Sequence, residues 1–222
     1  MEITQPKHWD FSKFKEVLLT LGTLGKGTSI PSVNCPKSIH LQGLRDTIDT
    51  LTSNTRKKGI EYAQTVLVDI ERKSLVVGKI THGTATETVL NKSLQPGRER
   101  QQKMVGSIHT HPMNQGPEYS HGLSGQDYIT FLSDPDQQFM MIAWGDDYRI
   151  MVLKTSVSPN NQNSNRIRDR IKDCEKDFLI SSEGGAFARV ARFNKEACAE
   201  FGLILYLADS KSRDLFERVM VV

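Results

Sequence analysis

Phe11, Phe14, Val17 and Leu18 recur at the three- and four-residue spacing of a helix face, which predicts an amphipathic helix over 10–21 with Asp10 as its cap. Residues 22–36 are rich in Gly, Ser, Thr and Pro and read as a loop. Helical spacing returns in Leu41, Leu44, Ile48 and Leu51, predicting a second helix over 39–52, followed by a polar, basic stretch to Gly59. From Glu61 the period shortens to two: Val66, Val68 and Ile70 alternate with Thr65, Leu67 and Asp69 as in a strand. Glu71-Arg72-Lys73 then reads as a turn, with the return strand over 75–80.

The polar segment 83–100 predicts irregular chain, and 103–111 an apolar strand that ends in histidines. A short helix follows over 127–132. Residues 139–144 and 148–153 form a hairpin turning at Gly145-Asp146-Asp147. Beyond a low-complexity connector over 156–165 come a charged helix (167–179), a helix over 195–201 stopped by Gly202, and a strand over 203–207. Strands alternating with helices predict an α/β fold.

Composition narrows the function classes. The 222 residues suffice for one core. Lys and Arg number 29 against 26 Asp and Glu, so the net charge of +3 gives no basic footprint for nucleic acid. Cys35, Cys174 and Cys198 are widely spaced, which fits neither a disulfide framework nor a thiolate metal site. No apolar run approaches membrane-spanning length and no leader-like segment opens the chain, so the expectation is a cytoplasmic protein with no membrane partner.

Candidate chemistry concentrates in Ser107-Ile108-His109-Thr110-His111-Pro112 and Ser124-Gly125-Gln126-Asp127. On a strand, His109 and His111 share a face, and Pro112 ends the ladder. Asp127 from the next helix supplies a carboxylate. Two imidazoles, a carboxylate and an open position suit a catalytic zinc. Ser124-x-x-Asp127 equally matches a helix capping box, and one helix start can serve both purposes.

Taken together, His-x-His-Pro, Ser-x-x-Asp and an upstream glutamate resemble the JAMM motif of the JAB/MPN metalloprotease family, over roughly residues 61–153. The resemblance implies a cytidine-deaminase-like α/β fold, with a curved mixed sheet flanked by helices. It implies Zn2+ held by His109, His111 and Asp127, with Ser124 assisting at the oxyanion and a glutamate as general base. Of Glu61, Glu71 and Glu87, the family's order of helix, strand, hairpin and histidine strand favours Glu61. Twelve residues, Pro112 to Leu123, separate the second histidine from the serine. The family's usual spacing is about seven, a lengthening that loops tolerate cheaply. The insertion is expected to touch substrate. His121 within it reads as an exposed loop residue, with substrate contact or ligation as the alternative.

The implied activity is hydrolysis of a peptide or isopeptide bond at the C-terminal tail of a ubiquitin-like modifier or its conjugate. Its rivals are a non-catalytic scaffold of the same fold and a DNA-repair-associated relative. The latter branch usually carries Asn between its histidines, where Thr110 stands here. The expected organisation is a single domain over 1–222: an N-terminal extension to 38, a metal-binding core over 39–156, and a helix-strand elaboration over 167–222.

Overall fold

The computed structural model describes residues 8–25, 28–84, 90, 100–112, 122–144, 148–159, 164–180, 186–209 and 211–219. Among these, nine strands form one mixed, curled sheet with helices on both faces. In chain order the elements are α1 (Phe11–Leu24), β1 (Ser38–His40), α2 (Arg45–Lys58), β2 (Tyr62–Asp69), β3 (Ser74–Val77), β4 (Thr81–His82) and β5 (Gln102–His111). They continue with α3 (Gly125–Ser133), β6 (Phe139–Trp144), β7 (Tyr148–Leu153), α4 (Ser164–Ile180), α5 (Ala186–Glu200), β8 (Ile204–Asp209) and β9 (Leu215–Arg218). The sheet order is β1-β9-β8-β7-β6-β5-β2-β3, with β4 also on β2. Among the described strands only the β5–β6 pairing is parallel.

Burial on both faces explains the near-continuous apolar runs of β6 and β7. Phe139, Met141, Met151 and Leu153 point to one face, where Phe14 and Leu18 of α1 and Ile48 and Leu51 of α2 cover them. Met140, Ile142, Ile150 and Val152 point to the other, under Tyr128 and Phe131 of α3, Ile167 and Ile171 of α4 and Phe193 and Ala197 of α5. Each such aliphatic or aromatic side chain contributes about 1.5–3 kcal/mol when fully buried. Phe14 meets Phe139 edge-on, with ring centroids 5.5 Å apart.

Asp10 caps α1, accepting from Lys13 N at 2.7 Å. The helix continues past residue 21 to Leu24, where Gly25 ends it. The expected helix over 39–52 divides in two. Ile39 lies in β1 opposite Phe216, and α2 begins only at Arg45. That pairing joins segments far apart in sequence, so local periodicity cannot signal it. α2 then runs to Lys58, its last turn carrying Arg56, Lys57 and Lys58 against the helix dipole. Gly59 caps it at φ 65, a left-handed conformation that a side chain would strain. α5 starts at Ala186, before the predicted 195: Phe187, Val190 and Ala191 already recur at helical spacing ahead of that point. The four-residue β9 was not predicted. The hairpin turn at 145–147 lies outside the described residues, and no described helix is long and apolar enough to cross a membrane.

Candidate metal centre

The centre sits where β5 ends and α3 begins. A parallel β5–β6 pair needs a crossover, and α3 is that crossover helix. Running back against the strand direction, it places its first turn over the C-terminal end of β5, the part of an open α/β sheet where ligands gather.

On β5, His109 and His111 share a face with Ser107, while Ile108 and Thr110 point into the α1–α2 side. A bulge sets this phase. Gly106 lies opposite Val66 and Met104 opposite Leu67, leaving Val105 as an extra residue. Both Val105 and Ile108 thereby reach the same core despite their odd spacing. Thr110 fixes the strand end from behind. Its hydroxyl accepts from Tyr62 N at 3.2 Å, donates to Tyr62 O at 3.3 Å and contacts the Thr55 hydroxyl of α2.

His109 Nε2 and His111 Nε2 are 3.2 Å apart. Asp127 Oδ1 lies 3.1 Å from His109 Nε2, and Oδ2 lies 3.6 Å from His111 Nε2. One ligand atom from each residue can be drawn within 4.8 Å of the others, so the three can hold a metal ion between them. Both histidines are buried.

Ser124 and Asp127 form a complete capping box. Asp127 N donates to Ser124 Oγ at 3.2 Å, while Asp127 Oδ2 accepts from Ser124 N at 2.7 Å and from Ser124 Oγ at 2.8 Å. The capping and ligand readings of Ser-x-x-Asp therefore describe the same residues. Oδ2 is spent on the helix start and Oδ1 faces the histidines.

Glu61 reaches the site through strand register. Ala63 lies opposite His109, so one repeat further puts residue 61 across from His111. Its Oε1 is 3.9 Å from His111 Nε2, beyond hydrogen-bond range, and the side chain is buried. Glu61 thus stands beside the ligand set and outside it. Glu71 is exposed in the turn at the opposite end of β2. Glu87, Glu118 and His121, with the rest of 113–121, lie outside the described residues.

Burial opposes charge on both partners of the closest contact. It pulls the His109 imidazolium down, but the Asp127 carboxylate, hydrogen-bonded to it, and Glu61 outweigh this and leave its pKa raised. Burial pushes the Asp127 carboxyl up, yet His109, His111 and the Ser124 N–H hold it well below the usual carboxylate range. Asp127 is ionised at neutral pH, as a ligand must be.

Compared with protein-family models, curated proteins and solved structures, the chain matches none of them.

Two contributors to the site carried no motif. Thr110 was read only as the spacer between histidines. Asn194 of α5 is 2 % exposed, and its Oδ1 accepts from Leu123 N at 3.2 Å and from Tyr128 Oη at 2.9 Å. The sequence carries no signal for it, since Asn194 falls just before the helix expected over 195–201.

Proposed function

We propose that this chain is a zinc-dependent metallopeptidase hydrolysing a peptide or isopeptide bond, with the C-terminal tail of a ubiquitin-like modifier as its substrate class. The observation that carries this reading is the convergence of His109, His111 and Asp127 on one point with Glu61 alongside.

The donor set suits zinc in particular. Tetrahedral zinc with bonds of about 2.0–2.1 Å needs its ligand atoms roughly 3.4 Å apart. The two imidazole nitrogens, 3.2 Å apart, and Asp127 Oδ1, 3.1 Å from His109 Nε2, lie close to that edge length. Two neutral nitrogens and one carboxylate leave a fourth position for water or substrate, as in catalytic sites.

Bound zinc supplies a Lewis acid and lowers the pKa of water at its open position toward about 7. The remaining work falls to the chain. Glu61, not spent on coordination, accepts a proton from the attacking water and delivers it to the leaving amine nitrogen. Its burial excludes bulk water from that transfer. The Ser124 hydroxyl donates to the developing oxyanion. To do so it turns away from Asp127 Oδ2, which keeps its bond from Ser124 N and stays satisfied. Asp127 thus holds its orientation while Ser124 changes partner.

Incubating the protein with ubiquitin-like modifier conjugates and linear fusions, with and without a chelator, tests the reading. Free modifier is released in the untreated sample and restored to the chelated one by zinc. A zinc-loaded protein that leaves every conjugate intact places the chain with the non-catalytic scaffolds instead.

A further inference from the structure

Asp127 is useful as a ligand only while the first turn of α3 stays in register with β5, and the capping box does not itself set that register. Ser124 and Asp127 bond to one another, so the box moves as a unit. Gly125 within the unit packs against Ile171 of α4, and the polar ties of the residues that flank it come from α5. Leu123, one residue before the box, and Tyr128, one residue after it, both donate to the same atom, Asn194 Oδ1. A backbone N–H cannot be accepted by an amide nitrogen, so the bond from Leu123 N fixes which way the Asn194 amide points.

All three residues are buried, at 2 % for Leu123, 0 % for Tyr128 and 2 % for Asn194, so no bulk water replaces a lost partner. The Tyr128 ring is held edge-on by Phe193, with centroids 5.8 Å apart, and its hydroxyl also touches Cys198 Sγ at 3.6 Å. α5 therefore grips the helix start at both ends of the box.

We infer that Asn194 is a positioning residue for the metal centre: its single amide oxygen holds the Ser124–Asp127 unit against His109 and His111. The inference rests on the proposed zinc site and extends it to a helix far from the motif in sequence. Outer partners of metal ligands typically govern affinity by 10–100-fold, and Asn194 acts one step further out, through the backbone that carries the ligand.

The test measures zinc affinity of the full-length protein by competition with a chromophoric chelator, beside the melting temperature of the metal-free form. Asn194→Leu keeps the branched shape and removes the acceptor; its zinc affinity is expected to fall by roughly 10-fold or more. Asn194→Asp retains an oxygen for both donors and is expected to restore most of the affinity. Tyr128→Phe removes one of the two donors and gives a smaller loss, and it decides the matter if Asn194→Leu does not fold. Phe201→Leu loosens the packing of α5 without touching these bonds; it should lower melting and leave zinc affinity at the wild-type value. Wild-type affinity in Asn194→Leu and Tyr128→Phe, with binding abolished in His109→Ala, overturns the role of Asn194 and leaves the zinc site standing. Equal losses in Phe201→Leu and Asn194→Leu, unrescued by Asn194→Asp, overturn it as well. Absence of zinc binding in the wild type overturns both.

Discussion

Glu61 Oε1 and His111 Nε2 face one another at 3.9 Å, too far to bond directly. That spacing separates the proposed base from the proposed ligands. Glu61→Gln is expected to keep zinc at wild-type stoichiometry while turnover of a modifier conjugate falls by about 10²–10⁴. Glu71→Gln, at the exposed far turn, should leave both unchanged. Single-turnover assays run beside metal analysis check the pair; loss of zinc in Glu61→Gln would make Glu61 a ligand. Beneath the site, a buried polar chain links strand and helix. Ser107 Oγ donates to Gln137 Oε1 at 2.8 Å, Gln137 Nε2 to Asp134 Oδ2 at 3.2 Å, and Lys154 Nζ to Asp134 O at 2.6 Å. Lys154 is fully buried, and burial pulls its pKa down to about 8 against the attraction of Asp134 and Asp136. With the folded value below the unfolded one, the unfolded chain binds more protons between them, so the cost of burying the ammonium is relieved as pH rises from about 8 through the ordinary lysine range. Lys154→Met lacks that titration. In urea titrations, wild-type stability relative to the variant should grow by up to about 3 kcal/mol across the window. A pH-independent difference contradicts this.

At the scale of elements, the centre depends on one strand–helix–strand unit whose phase is set by the bulge at Val105. Gly106 beside it has no room for a side chain: a Cβ there would lie 2.4 Å from the Phe139 ring, which is itself fully buried. Gly106→Ala is expected to cost about 1–3 kcal/mol by overpacking. Because the displaced ring sits between β5 and α1, zinc affinity should fall with it. Thermal melting and chelator competition on one sample measure both effects, and an unchanged melting temperature would show that Phe139 moves aside freely. The period-two alternation of 65–70 and the apolar runs at 139–144 and 148–153 made β2, β6 and β7 legible, since burial on both faces writes itself into local sequence. β1 and β9 were not legible, because Ile39 and Phe216 are stabilised by each other across most of the chain. The cluster of His109, His111 and Asp127 could be read from spacing. Thr110 acts through Thr55 of α2, and Asn194 of α5 through Leu123 and Tyr128 at the start of α3, and no spacing records such contacts.

At the scale of the molecule, the sheet continues without a break through β7, β8 and β9, and α4 and α5 supply much of the core beneath which α3 rests. The far edge is tied in by Arg149, almost fully buried. It donates to Asp49 Oδ1 of α2 at 2.8 Å and to Arg213 O at 2.8 Å, and it lies 3.6 Å from Asp214 Oδ1. The segment that follows the motif thus belongs to the same core that frames the metal centre. The likeness to the JAB/MPN motif rests on a few residues, so the account stands or falls on whether those residues bind metal. The most direct measurement is elemental analysis of the purified, extensively dialysed protein together with its His109→Ala and Asp127→Ala variants. The account predicts one zinc per chain in the wild type and almost none in either variant, with the variants still folded by circular dichroism. A wild-type protein that takes up no zinc even when it is supplied, or variants that hold zinc as well as the wild type, would contradict it.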